Sequence, residues 1–393
     1  MPNHPLKILI GADTYPPDIN GAAQFGHRLA LGLRDRGHEV HVVAARTASG
    51  PSYEIDIDGI HEHRLRSHNP PTHPYYRLCY PWSMQSTVDR ILDEVQPDVV
   101  HIQCHYIIGR MLASACRRKG IRMVSTNHFM PENLEPFLPF PEWFLRGFSK
   151  FSWWDMSRIL GQADYVTTPT EIGARSMRDH GFRKPIHPVS NGIEAADYEL
   201  RPGEDIEHPP HPVVFFAGRL AQEKNIDVLI RAIGQLPDDV PAHLEIAGVG
   251  EVEGSLRRLV DQLELQDRVH FLGFVTDQQL RKGYLRADVF CQPGTAELQS
   301  LVSLEAMSAS TPVVLANALA LPHLVEEGVN GYLFTPGDST DLAEKLTQVL
   351  RTPEEERRRM GAASREIVER HSVEKTWDVF EQMYRGEYTG RGI

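Results

Sequence analysis

A chain of 393 residues, 41% hydrophobic and 24% charged, is too long for one ordinary core and too apolar to stay unfolded, so two globular domains are expected. Its net charge of −12 is uneven, with 21 Lys and Arg against 19 Asp and Glu in residues 1–190 but 20 against 34 in residues 191–393. That balance argues against nucleic acid as a partner and leaves the first half free to approach an anionic surface.

The chain opens with KILIGADTYPPDINGAAQFGHRLALGLRDRGHEVHVVAA, which reads as strand, Pro/Gly/Asp loop, amphipathic helix ending at Gly37, and strand. YEIDIDGIHEHRL alternates as an exposed hairpin would. DVVHIQC, GRMLASACRRKG, IRMVSTNH, RILGQADYVTTPT and EIGARSMRDHGF continue the alternation of strand and helix. From HPVVFFAGRL it starts afresh, with AHLEIAG, RVHFLGF, ADVFCQP, TPVVLAN and NGYLFTP as strands. Such a pattern predicts an α/β protein of two doubly wound parallel sheets. The first domain is placed at 1–193, a Pro- and acid-rich linker at 194–212, and the second domain at 213–371. A last helix, 372–390, with Trp377, Phe380 and Tyr384 at helical spacing, is expected to pack back on the rest.

The cysteines, Cys79, Cys104, Cys116 and Cys291, form no CxxC pair, and no basic, apolar leader segment is seen. A reduced, cytoplasmic setting is the expectation. No apolar run approaches the roughly 18 residues of a membrane span, so any membrane contact would be peripheral.

Ligands of open parallel sheets bind beyond the carboxyl ends of the strands, so the loops there are the ones to read. GRLAQEKN sets Gly218, Arg219 and Lys224 after one such strand, where two cations would suit a diphosphate. An isolated Arg and Lys in a solvated loop would look the same. ELQSLVSLE places Glu297 at the start of a helix and Glu305 within it. The two carboxylates could accept hydrogen bonds from sugar and ribose hydroxyls, while the N–H groups of Ser300, Leu301 and Val302 face phosphate. Equally, they could be a helix-dipole acid and a surface glutamate. Three tempting motifs fail. GVGEVEG, which includes Gly248, has the wrong spacing for a dinucleotide turn, Asp56–Asp58 lie in the hairpin, and HIQCH lacks a second ligand pair, so no metal is assigned.

GRLAQEKN, the Glu-x7-Glu of ELQSLVSLEAM, the trailing TPVV, EEGVNGYLF and PVSNGI together resemble the retaining nucleotide-sugar glycosyltransferases of family 4, which have the GT-B fold of two Rossmann-like domains facing across a cleft. The likeness spans most of the chain and is dense from Gly218 to Pro336. It implies transfer of glucose or mannose from a UDP- or GDP-sugar with retention at the anomeric carbon, with no metal and no cofactor. The family's donor residues fall on Gly21, Ala22, Gly218, Arg219, Lys224, Gly248, Glu297, Ser300, Leu301, Val302 and Glu305. The first-domain histidine by the reacting carbon falls on His128 in STNHFMPEN, with His101 and His105 as second candidates. On this likeness His128, Arg219, Lys224 and Glu297 form the catalytic set.

The chain departs from the family at Ala22, at Leu298, Gln299 and Ser300 in place of Gly-Phe-Gly, at Ser310 where glycine is common, and in LALPHLV, which lacks a glycine pair. The loop 297–302 resembles that of members that glycosylate lipids. PENLEPFLPFPEWFLRGFSKFSWWDMSRIL, with Trp143, Arg146, Lys150, Trp153 and Trp154, combines rings and cations as a headgroup interface would, or as a helix packed in its own domain would. A lipid acceptor at an anionic membrane surface is therefore the expectation. A soluble glycan acceptor, or a non-catalytic nucleotide-sugar-binding relative, is the alternative.

Overall fold

A computed structural model describes residues 4–18, 20–69, 77–131 and 141–390, the side chains of Glu142 and Arg146 excepted. The chain forms two compact units, one of Met1–Ser190 with Glu374–Ile393, the other of Asn191–Val373.

Among the described residues the first unit holds eight strands, β1 (Lys7–Ala12), β2 (Glu39–Ala45), β3 (Tyr53–Ile57), β4 (Ile60–Leu65), β5 (Val99–Ile102), β6 (Arg122–Thr126), β7 (Tyr165–Thr168) and β8 (Ile186–Pro188). Their order is β3-β4-β2-β1-β5-β6-β7-β8, parallel except for the β3–β4 pair. Central β1 pairs on both sides, Ile8 opposite Val40 and Val99, and its apolar run is what burial on both faces requires. The hairpin turn has Asp58 and Gly59 both at positive φ, 53° and 75°, as a two-residue type I′ turn demands. Only half of the expected exposed hairpin is exposed. β3 is solvated along its length, but β4 pairs in parallel with β2 and is buried except at His61.

Around this sheet lie α1 (Gly21–Asp35), α2 (Pro81–Val95), α3 (Ile107–Lys119), α4 (Glu142–Leu160) and α5 (Glu171–Asp179). In the second unit β9 (Val213–Ala217), β10 (His243–Ala247), β11 (Val269–Gly273), β12 (Val289–Gln292), β13 (Val313–Ala316) and β14 (Gly331–Phe334) form an all-parallel sheet ordered β11-β10-β9-β12-β13-β14. Its helices are α6 (Ile226–Gly234), α7 (Glu253–Gln262), α8 (Asp277–Arg286), α9 (Leu301–Ser308), α10 (Ser339–Arg351) and α11 (Glu354–Val368). The last helix, α12 (Val373–Arg385), buries Trp377, Phe380 and Tyr384. Trp377 fits against Gly32 of α1, where an added Cβ would come within 2.3 Å of the indole nitrogen.

The segment 194–212, expected as a linker, is instead fastened within the second unit. Arg281 of α8 donates to Glu204 at 2.6 and 2.7 Å and to the Glu199 carbonyl, and Arg365 pairs with the Glu199 carboxylate. Composition signals a missing apolar period but not a guanidinium fork waiting 77 residues away. No helix among the described residues is long and apolar enough to cross a membrane.

Both sheets reverse direction beside their first strand, β1 between β2 and β5, β9 between β10 and β12. A switch of this kind opens a crevice at the carboxyl ends of the two strands flanking it.

Candidate active site

In the second unit the switch brings together the loops after β9 and β12. At the end of β9, Gly218 adopts φ 148°, and at the end of β10, Gly248 adopts φ 141°. A Cβ on Gly248 would lie 1.9 Å from the Gly218 carbonyl oxygen, so the strand ends approach as only glycine allows. The chain then presents Arg219, whose Nη2 reaches Glu223 Oε1 at 2.6 Å and whose Nη1 lies 3.4 Å from Glu251 Oε2. Lys224 closes a short 3₁₀ turn, and Asn225, at φ 48°, starts α6. Asn225 Nδ2 donates to the Pro293 carbonyl and to Thr295 Oγ1, both at 3.3 Å, while Thr295 N donates to the Glu223 carbonyl at 3.2 Å. These bonds lock the two loops together, and across the junction Lys224 Nζ donates to Glu297 Oε1.

The two cations expected from GRLAQEKN are thus each held by carboxylates. Glu223 and Glu251 were not singled out in the sequence. Glu223 stands inside the quoted motif at i+4 from Arg219, the helical pairing distance, and could have been found there. Lys224 and Glu297 are 20% and 13% exposed, shielded enough to hold their geometry and open enough for a polyanion to compete for the ammonium.

Glu297 does not lie at the start of the helix. It precedes Leu301, the first helical residue, by four positions, because Ser300 is the cap. Its Oγ accepts from Ser303 N at 3.4 Å and from Ser303 Oγ at 2.8 Å. The N–H groups of Leu301 and Val302 in the first turn have no acceptor within the helix, as at any helix start. Glu305 is buried rather than on the surface, and Oε2 accepts from the Tyr284 hydroxyl at 2.9 Å. Gln299, at a family phenylalanine position, accepts from Asn191 N at 2.8 Å through Oε1, and its Nε2 lies 3.4 Å from His371 Nδ1. It ties the β12 loop to both ends of the second unit. Ser310 and Leu319 have φ of 60° and 43°, in the left-handed region that explains the glycines common there.

In the first unit, Asn20 caps α1, Oδ1 accepting from Ala23 N at 2.9 Å. Gly21 opens that helix and Ala22 follows half-buried, and a Cβ on Gly21 would meet nothing within 4 Å. His128 stands two residues beyond β6, with Nε2 2.8 Å from Gln103 Oε1 in the loop after β5, so Nε2 carries the proton. Its ring lies 4.8 Å from that of Phe25, and burial pushes its pKa down to about 3, leaving a neutral imidazole.

His101 belongs to the core. Its nitrogens meet the Tyr384 and Thr126 hydroxyls, each at 2.7 Å. His105 is buried beside the rings of Tyr106 and Phe129, and burial lowers its pKa to about 4. Asp13, just past β1, is a buried residue the sequence reading missed. Oδ1 accepts from Ile108 N at 2.9 Å at the start of α3, and burial raises its pKa to about 6. Position alone, immediately after the first strand, was its only signal.

Along α4, Trp143, Phe151 and Trp154 are 72%, 59% and 55% exposed, and Lys150 is exposed beside them. Trp153 is not part of that face. It is buried and stacks on His180 with ring centroids 4.3 Å apart, because a step of one residue turns a helix by about 100°. The Arg146 side chain, like the PENLEPFLPF stretch from 132 onward, lies outside the described residues.

The model for glycosyl transferases group 1 matches residues 204–367, and that for glycosyltransferase family 4 matches residues 19–197. The chain is 35% identical over 394 residues to D-inositol 3-phosphate glycosyltransferase of Mycolicibacterium smegmatis, covering 92% of this chain and 84% of that protein. This chain belongs to glycosyltransferase family 4. The family 4 chain is also 24% identical over 349 residues to alpha-monoglucosyldiacylglycerol synthase of Streptococcus pneumoniae, covering 84% of this chain and 75% of that one. Its fold is that of HepE from Anabaena, solved with UDP and glucose, at a TM-score of 0.76 and 21% identity over 97% of this chain and 100% of HepE. It is a GT-B glycosyltransferase of two parallel-sheet α/β domains.

Proposed function

We propose that this family 4 glycosyltransferase moves glucose or mannose from a UDP- or GDP-sugar to a membrane lipid such as diacylglycerol or a glycolipid, with retention at the anomeric carbon and without metal or cofactor. The observation that carries the reading is the junction of the β9 and β12 loops, where Arg219 is held by Glu223 and Lys224 by Glu297, four residues ahead of a helix start. In the proposed donor complex the diphosphate takes over the hydrogen bonds of Lys224 and Arg219, and the first turn of α9 adds its N–H groups. Charge on the departing diphosphate is then met by two cations and a helix dipole, with the stabilisation strongest as the bond to the sugar breaks. Released from Lys224, Glu297 accepts from sugar hydroxyls, and Glu305, steadied by Tyr284, accepts from the ribose.

An imidazole with a pKa near 3 is a poor base at neutral pH, which supports a hydrogen-bonding role for His128 and leaves the phosphate oxygen to take the acceptor's proton. The exposed rings of α4 and the likeness to a relative named for diacylglycerol support the lipid acceptor. On this reading the protein is peripheral at the cytoplasmic face of the membrane. A second reading, a soluble phosphorylated polyol as acceptor, is favoured by the 35% identity to the inositol phosphate enzyme.

Purified protein given UDP-glucose or GDP-mannose, with diacylglycerol vesicles or with inositol phosphate, tests both. The expected result is nucleoside diphosphate released in step with lipid consumption, an α-linked product by NMR, and no loss on adding EDTA. Turnover with inositol phosphate alone selects the second reading, and a β-linked product overturns retention.

A further inference from the structure

The C-terminal end of α4 forms one wall of a cavity of about 330 Å³ lined by Trp154, Ser157, Arg158, Phe182, Arg183 and Lys184. One water needs roughly 10–15 Å³ on the same measure, so the space takes a group much larger than a water. Three of these side chains are cations and none of the lining residues is acidic. The Arg158 guanidinium lies over the Trp154 ring at 5.7 Å, and Lys184 Nζ donates to the Ala163 carbonyl at 2.5 Å, which fixes it at the wall. Arg158 and Arg183 have no carboxylate partner among the described residues. The nearest acid on α4, Asp155, is engaged by Arg110 at 3.1 Å. Trp154 belongs both to the cavity and to the exposed stripe Trp143, Phe151, Trp154, which runs along about 17 Å of helix at 1.5 Å per residue.

We propose that this cavity is a headgroup site for an anionic phospholipid, distinct from the acceptor, which seats a phosphodiester between Arg158, Arg183 and Lys184 while the neighbouring rings enter the interface. The charge fits a phosphate from any source, but a soluble phosphate gains nothing from rings left bare beside it, whereas a bilayer covers them. Guanidinium groups suit the site because they bind phosphate oxygens two at a time. The proposal rests on the reading of α4 as the membrane face.

Sedimentation with vesicles separates the two ideas. Vesicles of phosphatidylcholine alone are compared with vesicles containing phosphatidylglycerol, using the wild-type chain, Arg158→Ala with Arg183→Ala, and a control of equal charge loss away from α4, Arg117→Ala with Arg175→Ala. All four positions are exposed, and thermal unfolding checks that each variant is folded. The expected result is binding that needs phosphatidylglycerol and falls at least tenfold in the cavity variant, with a loss of less than about threefold in the control. Equal losses in both variants mean diffuse charge and overturn the headgroup site while leaving the membrane face standing. Equal binding to both vesicle types does the same. Wild type that binds neither vesicle overturns both.

Discussion

At the carboxyl end of the second sheet the polar groups are charged and answered by one another, Arg219 by Glu223 and Glu251, Lys224 by Glu297. At the carboxyl end of the first sheet they are buried or half-buried, and the imidazoles are neutral. His128 meets an amide oxygen, His101 two hydroxyls, and burial raises the pKa of Asp13 to about 6. Paired charges at a partly open edge can be exchanged for those of an incoming polyanion, because the Coulomb energy lost is regained with the new partner. Neutral imidazoles keep direction without drawing an anion. The difference suits one end to gripping a charged donor and the other to orienting hydroxyls.

The sharpest break in that comparison is Lys224→Ala. On the proposed role of Lys224 in answering leaving-group charge, its removal is expected to lower kcat by about 10²- to 10³-fold, read as nucleoside diphosphate release. The fold should survive with a modest loss, since a single carboxylate, that of Glu297, loses its partner and is still 13% exposed to water. Turnover within threefold of wild type would remove the second-unit junction from the chemistry.

A smaller effect separates the units by acid. Burial lowers the pKa of His27, His38, His41, His63, His101, His105, His128 and His187 in the first unit, but only of His243, His323 and His371 in the second, among the described residues. An unfolded histidine takes a proton near pH 6.5, whereas folded His101 and His128 wait until about 3 and His105 until about 4. The unfolded chain therefore binds more protons in that window. Stability is full above about 6.5 and falls as pH drops, by about 1.4 kcal/mol per pH unit for each such group. Asp13 acts in the opposite sense, its penalty easing as pH falls through about 6. Hydrogen exchange at pH 7 and pH 5, corrected for intrinsic rates, should show first-unit amides losing protection first. Equal losses would erase the contrast.

The sheets were legible because buried parallel strands are contiguous apolar runs, and KILIGA, VVFFA and TPVV announce themselves without their neighbours. The charged half of the candidate site was legible for a related reason. Arg219 and Lys224 lie five residues apart, and Glu297 and Glu305 eight, so each pair is a local pattern. What stayed hidden were partners set by tertiary contact. Gln103 reaches His128 across 25 residues, Tyr284 reaches Glu305 across 21, and Asp13 reaches the start of α3 across 95. Trp153 was misplaced because aromatic richness was read without the helical phase, and 194–212 because acid and proline were read without the arginines that hold them.

The smallest test concerns how the two units end their helices. After α3 the first unit uses Gly120 at φ 69°, where a Cβ would meet nothing within 4 Å. After α9 the second unit puts Ser310 at φ 60° in the same left-handed turn, where an L side chain costs roughly 1 kcal/mol relative to glycine. The backbone there cannot relax, since Gly361 of α11 packs against it so closely that a Cβ on that glycine would lie 1.9 Å from the Ser310 carbonyl oxygen. Ser310→Gly should therefore gain about 0.5–1 kcal/mol in denaturant unfolding, and Gly120→Ser should lose about as much, the two changes being mirror images at equivalent turns. A loss on Ser310→Gly would mean that the serine hydroxyl, rather than the backbone conformation, holds that turn.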